Sequence, residues 1–234
     1  MKCVWEHNGN DTLLHSVDYV GAYTRGRTLA AAIEKMRAEI DAYSLWCGQE
    51  LECETDVEII QEKSCNLQIA DADSDILFDS EKAPLSRKEY EELKALVLKS
   101  ARDFYDLYSS IPIKNKSCLP PRQTFYGAMP RTAQDMYEHT KNVNSYYFAE
   151  INVDADNEGT IYDCRKRGFE HLEQTPGFLD NAVIEGSYDE FWTLRKVMRR
   201  FLWHDRIHAK AMYRMAVKTF GTFGVDNTFK FAVD

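Results

Sequence analysis

Two histidines, His204 and His208, stand four positions apart in a stretch of helical periodicity. On a helix that spacing brings both rings to one face, one turn apart, which suits two imidazoles on a single ion. Val197, Phe201, His204, His208, Met212 and Met215 form one stripe, so the pair is expected to face a helical core. Neutral imidazoles in a core each keep a ring nitrogen that needs a partner, and a metal satisfies both. His139 lies on a second stripe with Met136, Val143 and Tyr147, on an earlier helix. Three histidines from two facing helices leave coordination positions open, as catalytic rather than structural metal sites do. The bland alternative for each ring is an ordinary hydrogen bond inside a core.

Other chemistries fit the residues less well. His204-Asp205-Arg206-Ile207-His208 is one methylene short of the H-E-x-x-H zinc peptidase signature, in which the glutamate is general base. Those enzymes usually draw a third ligand from downstream, and after His208 only Asp226 and Asp234 carry a carboxylate. A di-iron carboxylate centre would need Glu-x-x-His on two helices, and the chain has none. Asp135, one turn before His139, is placed to orient that ring or simply to favour the positive end of its helix. Arg199, Arg200 and Arg206 read as a solvated face, with a role in orienting a carboxylate-bearing substrate as the alternative. His7, His15 and His171 lack companions at ligand spacing, so no catalytic role is expected of them.

The elements that must position these side chains fall into two regions, 1–83 and 84–234. In the second, Ser86 to Glu89 fits a capping box. The helix it opens carries Tyr90, Leu93, Val97, Leu98, Ala101, Tyr105 and Tyr108, and ends near Ile111-Pro112. Residues 112–130 are rich in proline and read as a connection. Helices are expected from Thr132 to about Ile151, from about Gly159 to Leu172, and from Ser187 or Asp189 to about Phe220, closed by Gly221. Four helices in about 150 residues describe an up-down four-helix bundle. In the first region, residues 2–6 and 12–19 read as strands joined by an Asn8-Gly9-Asn10-Asp11 turn, with Ala22–Arg25 as a third. A helix capped by Thr28 and ended by Gly48 follows, then a strand at Val57–Ile60 and a weaker one at Asp75–Phe78. The fold class expected is α+β.

Charge separates the regions too. Residues 1–83 hold seven basic and 17 acidic side chains, a balance of −10; the remainder hold 22 and 21, or +1. An acidic front is repelled by phosphate backbones, so nucleic-acid binding is not expected. No apolar run reaches the ~18–20 residues of a membrane span, and the N-terminus lacks a secretory pattern, so a cytoplasmic chain without membrane contact is expected. Six scattered cysteines, at 3, 47, 53, 65, 118 and 164, form no C-x-x-C pair; the nearest approach, Cys47 to Cys53, is too loose for a metal.

Residues 84–234 resemble the DinB/YfiT-like superfamily of metal-binding four-helix bundles. The resemblance rests on Thr132-Ala133-Gln134-Asp135-Met136-Tyr137-Glu138-His139 and on Arg199-Arg200-Phe201-Leu202-Trp203-His204-Asp205-Arg206-Ile207-His208. It implies metal ligation by His139, His204 and His208, a divalent ion such as zinc or nickel, and a transferase or isomerase using a low-molecular-weight thiol. It also implies dimerisation through bundle faces. Residues 1–48 resemble the HicB antitoxin fold, a β-β-β-α-β unit, through Val17-Asp18-Tyr19-Val20-Gly21-Ala22-Tyr23-Thr24-Arg25-Gly26-Arg27-Thr28 and the alanine-rich helix after it. No ribbon-helix-helix or helix-turn-helix tail accompanies them, so this region reads as a module contacting a protein or ligand. Two functions from different classes follow: a metal-dependent thiol S-transferase (or a hydrolase, if the ion activates water), and a non-enzymatic metal-binding or partner-binding protein.

Overall fold

The computed structural model describes residues 1–48, 56–124 and 126–232. Cys53 and Asp234, both weighed above, lie outside them. The chain is mixed α+β and divides into two compact units, Met1–Glu81 with the stretch from Lys230 onward, and Lys82–Phe229. No helix among the described residues is long and apolar enough to cross a membrane.

In the first unit, β1 (Lys2–His7), β2 (Thr12–Ser16), β3 (Tyr23–Gly26) and β4 (Glu58–Ser64) form one sheet in the order β3-β2-β1-β4. β1 and β2 pair antiparallel across the Asn8–Asp11 turn, and Asn8 Oδ1 accepts the Asp11 N–H at 2.8 Å to hold it. β4 joins β1 in parallel, which requires the crossover that α1 (Leu29–Cys47) supplies. Thr28 caps α1 by accepting the Ala31 N–H, and Gly48 ends it at φ +66°, a conformation glycine adopts without strain.

The expected strand at Asp75–Phe78 is absent. Ile76 and Phe78 are buried against Val4, but side chains hold the backbone there in place of a ladder. The Asp75 N–H donates to Glu6 Oε1 at 3.3 Å, Gln61 Nε2 donates to the Leu77 carbonyl at 3.1 Å, and the Asp79 N–H donates to Gln61 Oε1 at 2.8 Å. Hydrophobic alternation correctly marked what is buried, and the polar partners decided against a strand.

The second unit contains α2 (Arg87–Ser110), α3 (Ala133–Ala149), α4 (Ile161–Leu172) and α5 (Leu194–Phe220). α2 and α3 each pack against both α4 and α5. Capping boxes open three of them, at Ser86/Glu89, Thr132/Asp135 and Thr160/Asp163. Between α2 and α3, β5 (Gln123–Thr124) and β6 (Gly127–Ala128) pair briefly; before α5, β7 (Ile184–Glu185) pairs with β8 (Phe191–Trp192).

Two expectations for these helices need correcting. α5 begins at Leu194 rather than near Ser187: Tyr188 and Asp189 sit at φ +61° and +58°, β8 is extended, and Thr193 is the residue that accepts the Lys196 N–H. On α2 the face turned inward carries Phe104 and Leu107, while Tyr105 is exposed and Tyr108 only half-buried. Both choices satisfy an i, i+3 pattern, but a phenyl or leucyl group leaves no hydroxyl to satisfy in the core. Tyr108 instead stacks on Tyr137 at 4.2 Å and donates to Gln134 Oε1 at 2.6 Å.

At Gly168 on α4 the helices come unusually close. A Cβ there would stand 2.2 Å from Phe148 of α3. Phe148 packs edge-on against Phe169 and tilted against Phe201, both at 5.3 Å.

Candidate metal centre

α5 owes its length to good helix formers between the Thr193 cap and Gly221, and its buried face includes Val197, Phe201, His204, Met212 and Met215 as the stripe requires. His208 lies at the edge of that face, half-buried. On α3 the buried residues are Ala133, Met136, Tyr137, Thr140, Asn144, Tyr147 and Phe148. His139 and Val143 flank that face rather than belong to it, a shift of about one helical position from the stripe expected. One buried imidazole and two half-buried ones therefore meet at the margin of a core, where a small molecule can approach.

The three rings converge. His139 Nε2 and His204 Nε2 are 3.2 Å apart, and one nitrogen from each of the three histidines lies within 4.8 Å of the others. Ring centroids are separated by 4.4 Å for His204 and His208, 4.6 Å for His139 and His208, and 5.1 Å for His139 and His204. Among the described residues no other set of three His, Cys, Asp or Glu side chains gathers in this way. Two nitrogens on one tetrahedral ion, with bonds of ~2.0–2.1 Å, stand about 3.3–3.4 Å apart. The 3.2 Å pair is at that separation; it also suits a single N–H···N bond. The third imidazole separates the two arrangements, because a lone pair of histidines sharing a proton has no use for it.

Burial holds His139 below the ordinary imidazole range. His204 is pushed well below it, first by burial and then by the charges of His208, His139, Arg200 and Arg165. Both rings are thus neutral at pH 7 and offer lone pairs, the form a divalent cation requires. His204 Nδ1 is buried with no hydrogen-bond partner among the described residues. The donor set therefore fits a divalent ion, while the usual outer partner that fixes a ligating imidazole is missing at His204. The Tyr147 ring meets the His204 ring edge-on, 6.1 Å between centroids, and walls the buried side.

Asp205, the residue after His204, belongs to a different cluster. It accepts from both terminal guanidinium nitrogens of Arg165 of α4, at 2.6 and 3.2 Å, and from Ser100 of α2 at 2.7 Å, with Arg165 and Asp205 fully buried. Its carboxylate is committed there, so it cannot serve as the general base of a peptidase-like site. Asp135 completes the α3 capping box, accepting the Thr132 N–H at 3.2 Å, which is the plainer of its two expected roles.

The arginines of α5 depart from the solvated face expected of them. Arg199 and Arg206 are buried, Arg200 is half-buried, and Lys196 is buried and ion-paired with Glu190 at 2.8 Å. Helical periodicity cannot reveal this, because it shows which residues share a face and not whether that face is covered. The other histidines are accounted for without a metal: His7 stacks on Trp5 and meets Glu62 Oε1 at 3.1 Å, His15 is buried 3.8 Å from Glu6, and His171 Nδ1 meets the Asp154 carbonyl at 2.7 Å. The five cysteines among the described residues are free thiols, and burial pushes Cys3 up to about 12, so it is inert.

Compared with models of known protein families, with curated proteins and with solved structures, the chain matches none.

Proposed function

We propose that this protein is a divalent-metal-binding member of the DinB-like superfamily, an up-down four-helix bundle with a HicB-like module before it, and that it acts as a metal-dependent thiol S-transferase. The observation that carries the reading is the convergence of three neutral imidazoles, from two helices, at the margin of a core. Zinc or nickel is the ion we assign, since imidazole nitrogen suits both.

His139, His204 and His208 would hold the ion with positions left open, and when bound it would supply Lewis acidity that lowers the pKa of a nearby thiol. His139, His204 and His208 supply the lone pairs, and burial keeps the first two from competing for protons. Tyr147 closes the inner wall. The half-buried His139 and His208 mark the side from which a low-molecular-weight thiol enters. Homodimerisation through helical faces and a cytoplasmic location belong to the same reading.

Elemental analysis of the wild type against a His204→Ala/His208→Ala variant tests the site. About one ion per chain is expected in the first and none in the second; equal content in both removes the centre. Turnover of a model electrophile with common bacterial thiols then tests the chemistry. Tight metal binding without any turnover would favour the second reading, a non-enzymatic metal-binding protein whose acidic N-terminal unit contacts a partner. The charge imbalance of −10 in residues 1–83 is what speaks for it.

A further inference from the structure

The acidic N-terminal unit contains a local reversal of charge. Of the seven basic side chains in residues 1–83, three line one cavity of about 300 Å³: Arg25, Arg27 and Lys35. Thr12 and Ile69 lie buried in its wall, and Asp11 is the one carboxylate among the lining residues. Arg25 donates to the Ala70 carbonyl at 3.2 Å and Lys35 to the Arg25 carbonyl at 2.8 Å. Both acceptors are neutral, so each cation keeps its full charge and further N–H donors. Arg27 is exposed and has no partner among the described residues. Elsewhere in the unit Arg37 and Lys63 are paired with Asp41 and Asp75. With 17 acidic side chains available against seven basic ones, three cations gathered without an ion pair run against the composition.

The backbone that carries these cations is pinned. A Cβ at Gly26 would stand 2.9 Å from the Ala32 nitrogen of α1, and Thr24 Oγ1 donates to the Ala32 carbonyl at 2.7 Å. β3 is thereby clamped to the start of α1, with Arg25 and Arg27 on either side of the clamp. No acidic residue occupies the first turn of α1, so the positive end of its dipole adds to the same field.

We propose that this cavity binds a small phosphate monoester that carries a hydroxyl group. Three positive charges less the one of Asp11 leave a lining of +2. That balances a phosphate monoester, which is close to dianionic at pH 7 because its second pKa is about 6. Arg25, Arg27 and Lys35 donate to the phosphate oxygens, and Asp11 accepts from the hydroxyl. A volume of about 300 Å³ is at the lower end for ligand pockets, which suits a molecule of a few carbons. A phosphate polymer is a poor match. The three cations dominate only within about a Debye length, ~8 Å, and beyond it the −10 balance of residues 1–83 repels the chain. The site is separate from the histidines, and neither reading depends on the other.

The test is calorimetric titration of the full-length protein, freed of metal by prior chelation, with glycerol 3-phosphate, inorganic phosphate and glycerol. Glycerol 3-phosphate should bind once per chain, inorganic phosphate about threefold more weakly or worse, and glycerol not at all. Arg27→Gln should weaken the ester about tenfold, the step that losing one charge-assisted hydrogen bond produces. Lys35→Gln should show the same loss, so the result does not hang on one variant. Arg37→Gln removes an equal charge outside the cavity and should leave the affinity within about twofold. Asp11→Asn should bring ester and inorganic phosphate within about twofold of each other. Absence of saturable ester binding overturns the site, and so does an equal loss in Arg27→Gln and Arg37→Gln, which is what diffuse surface charge would give. Equal binding of ester and inorganic phosphate by the wild type overturns the assignment of a hydroxylated ester.

Discussion

His204 and Asp205 are neighbours in sequence, and their side chains have been given opposite settings. Asp205 is sealed: two helices send it Arg165 and Ser100, and both members of the ion pair are inaccessible. His204 is gathered with two half-buried rings, and one of its own nitrogens has no hydrogen-bond partner among the described residues. A buried polar group with its partners supplied fixes one arrangement of helices. A cluster left incomplete at a margin is where an added ion or small molecule gains most. α5 therefore carries a sealed ion pair and a partly open histidine cluster one residue apart.

The largest effect that could break this contrast is on stability. Asp205→Ala leaves the Arg165 guanidinium buried without its counter-charge and should cost about 3–5 kcal/mol, measured by urea unfolding of the metal-free protein. His204→Ala under the same conditions should cost under about 2 kcal/mol, because the residue removed was not fully satisfied. Equal costs would mean that the two faces do not differ in kind.

Metal should act on one face only. Zinc at about a hundred times its dissociation constant should stabilise the wild type by roughly 2.7 kcal/mol, a rise in Tm that a chelator reverses. The Asp205→Ala variant should show a comparable zinc-dependent increment, and His204→Ala/His208→Ala none. Below that in size, Gly168→Ala should cost about 1–3 kcal/mol by forcing Phe148 from its place, seen as a lower urea midpoint.

The smallest effect sharpens the comparison from the other unit, where a histidine and a carboxylate are also buried together. Burial alone would raise the Glu6 carboxyl; hydrogen bonding and charge from His15, with Ser74 donating at 2.5 Å and the Asp75 N–H at 3.3 Å, more than offset this and lower it to about 2. Since the folded value lies below the ordinary 4.5, the stability this group contributes is present above about pH 4.5 and is lost as pH falls toward 2. Glu6→Gln should flatten that acid limb in a pH series of unfolding midpoints. An unchanged limb would show that Glu6 gains nothing from its partners.

How much of this was legible in the sequence depends on the range of the forces involved. Caps are local, and Thr28, Gly48, Ser86 and Thr132 stand where their types suggested. The onset of α5 was misplaced by several residues because its competitor, the β7–β8 pairing, depends on Ile184 and Glu185 rather than on anything inside the helix. His204 and His208 could be paired by spacing, and His139 by its stripe. Their mutual distances, and the placement of His139 beside rather than within the buried face, needed the packing of α3 on α5. The Asp205–Arg165–Ser100 cluster spans 105 residues and leaves no periodic signal. Charged residues of an amphipathic pattern look alike whether solvent or another helix receives them.

Gly168 lies at one end of a chain of aromatic contacts that reaches the histidines. The Phe148 ring that fills the space above it leans on Phe201 of α5, and the preceding residue of α3, Tyr147, faces His204. A single methyl group at position 168 would therefore displace the Phe148 ring and disturb the aromatic contacts that run from it to Phe201 and, through Tyr147, to His204. The close approach of α3 and α4 at this point rests on a side chain that consists of a hydrogen atom.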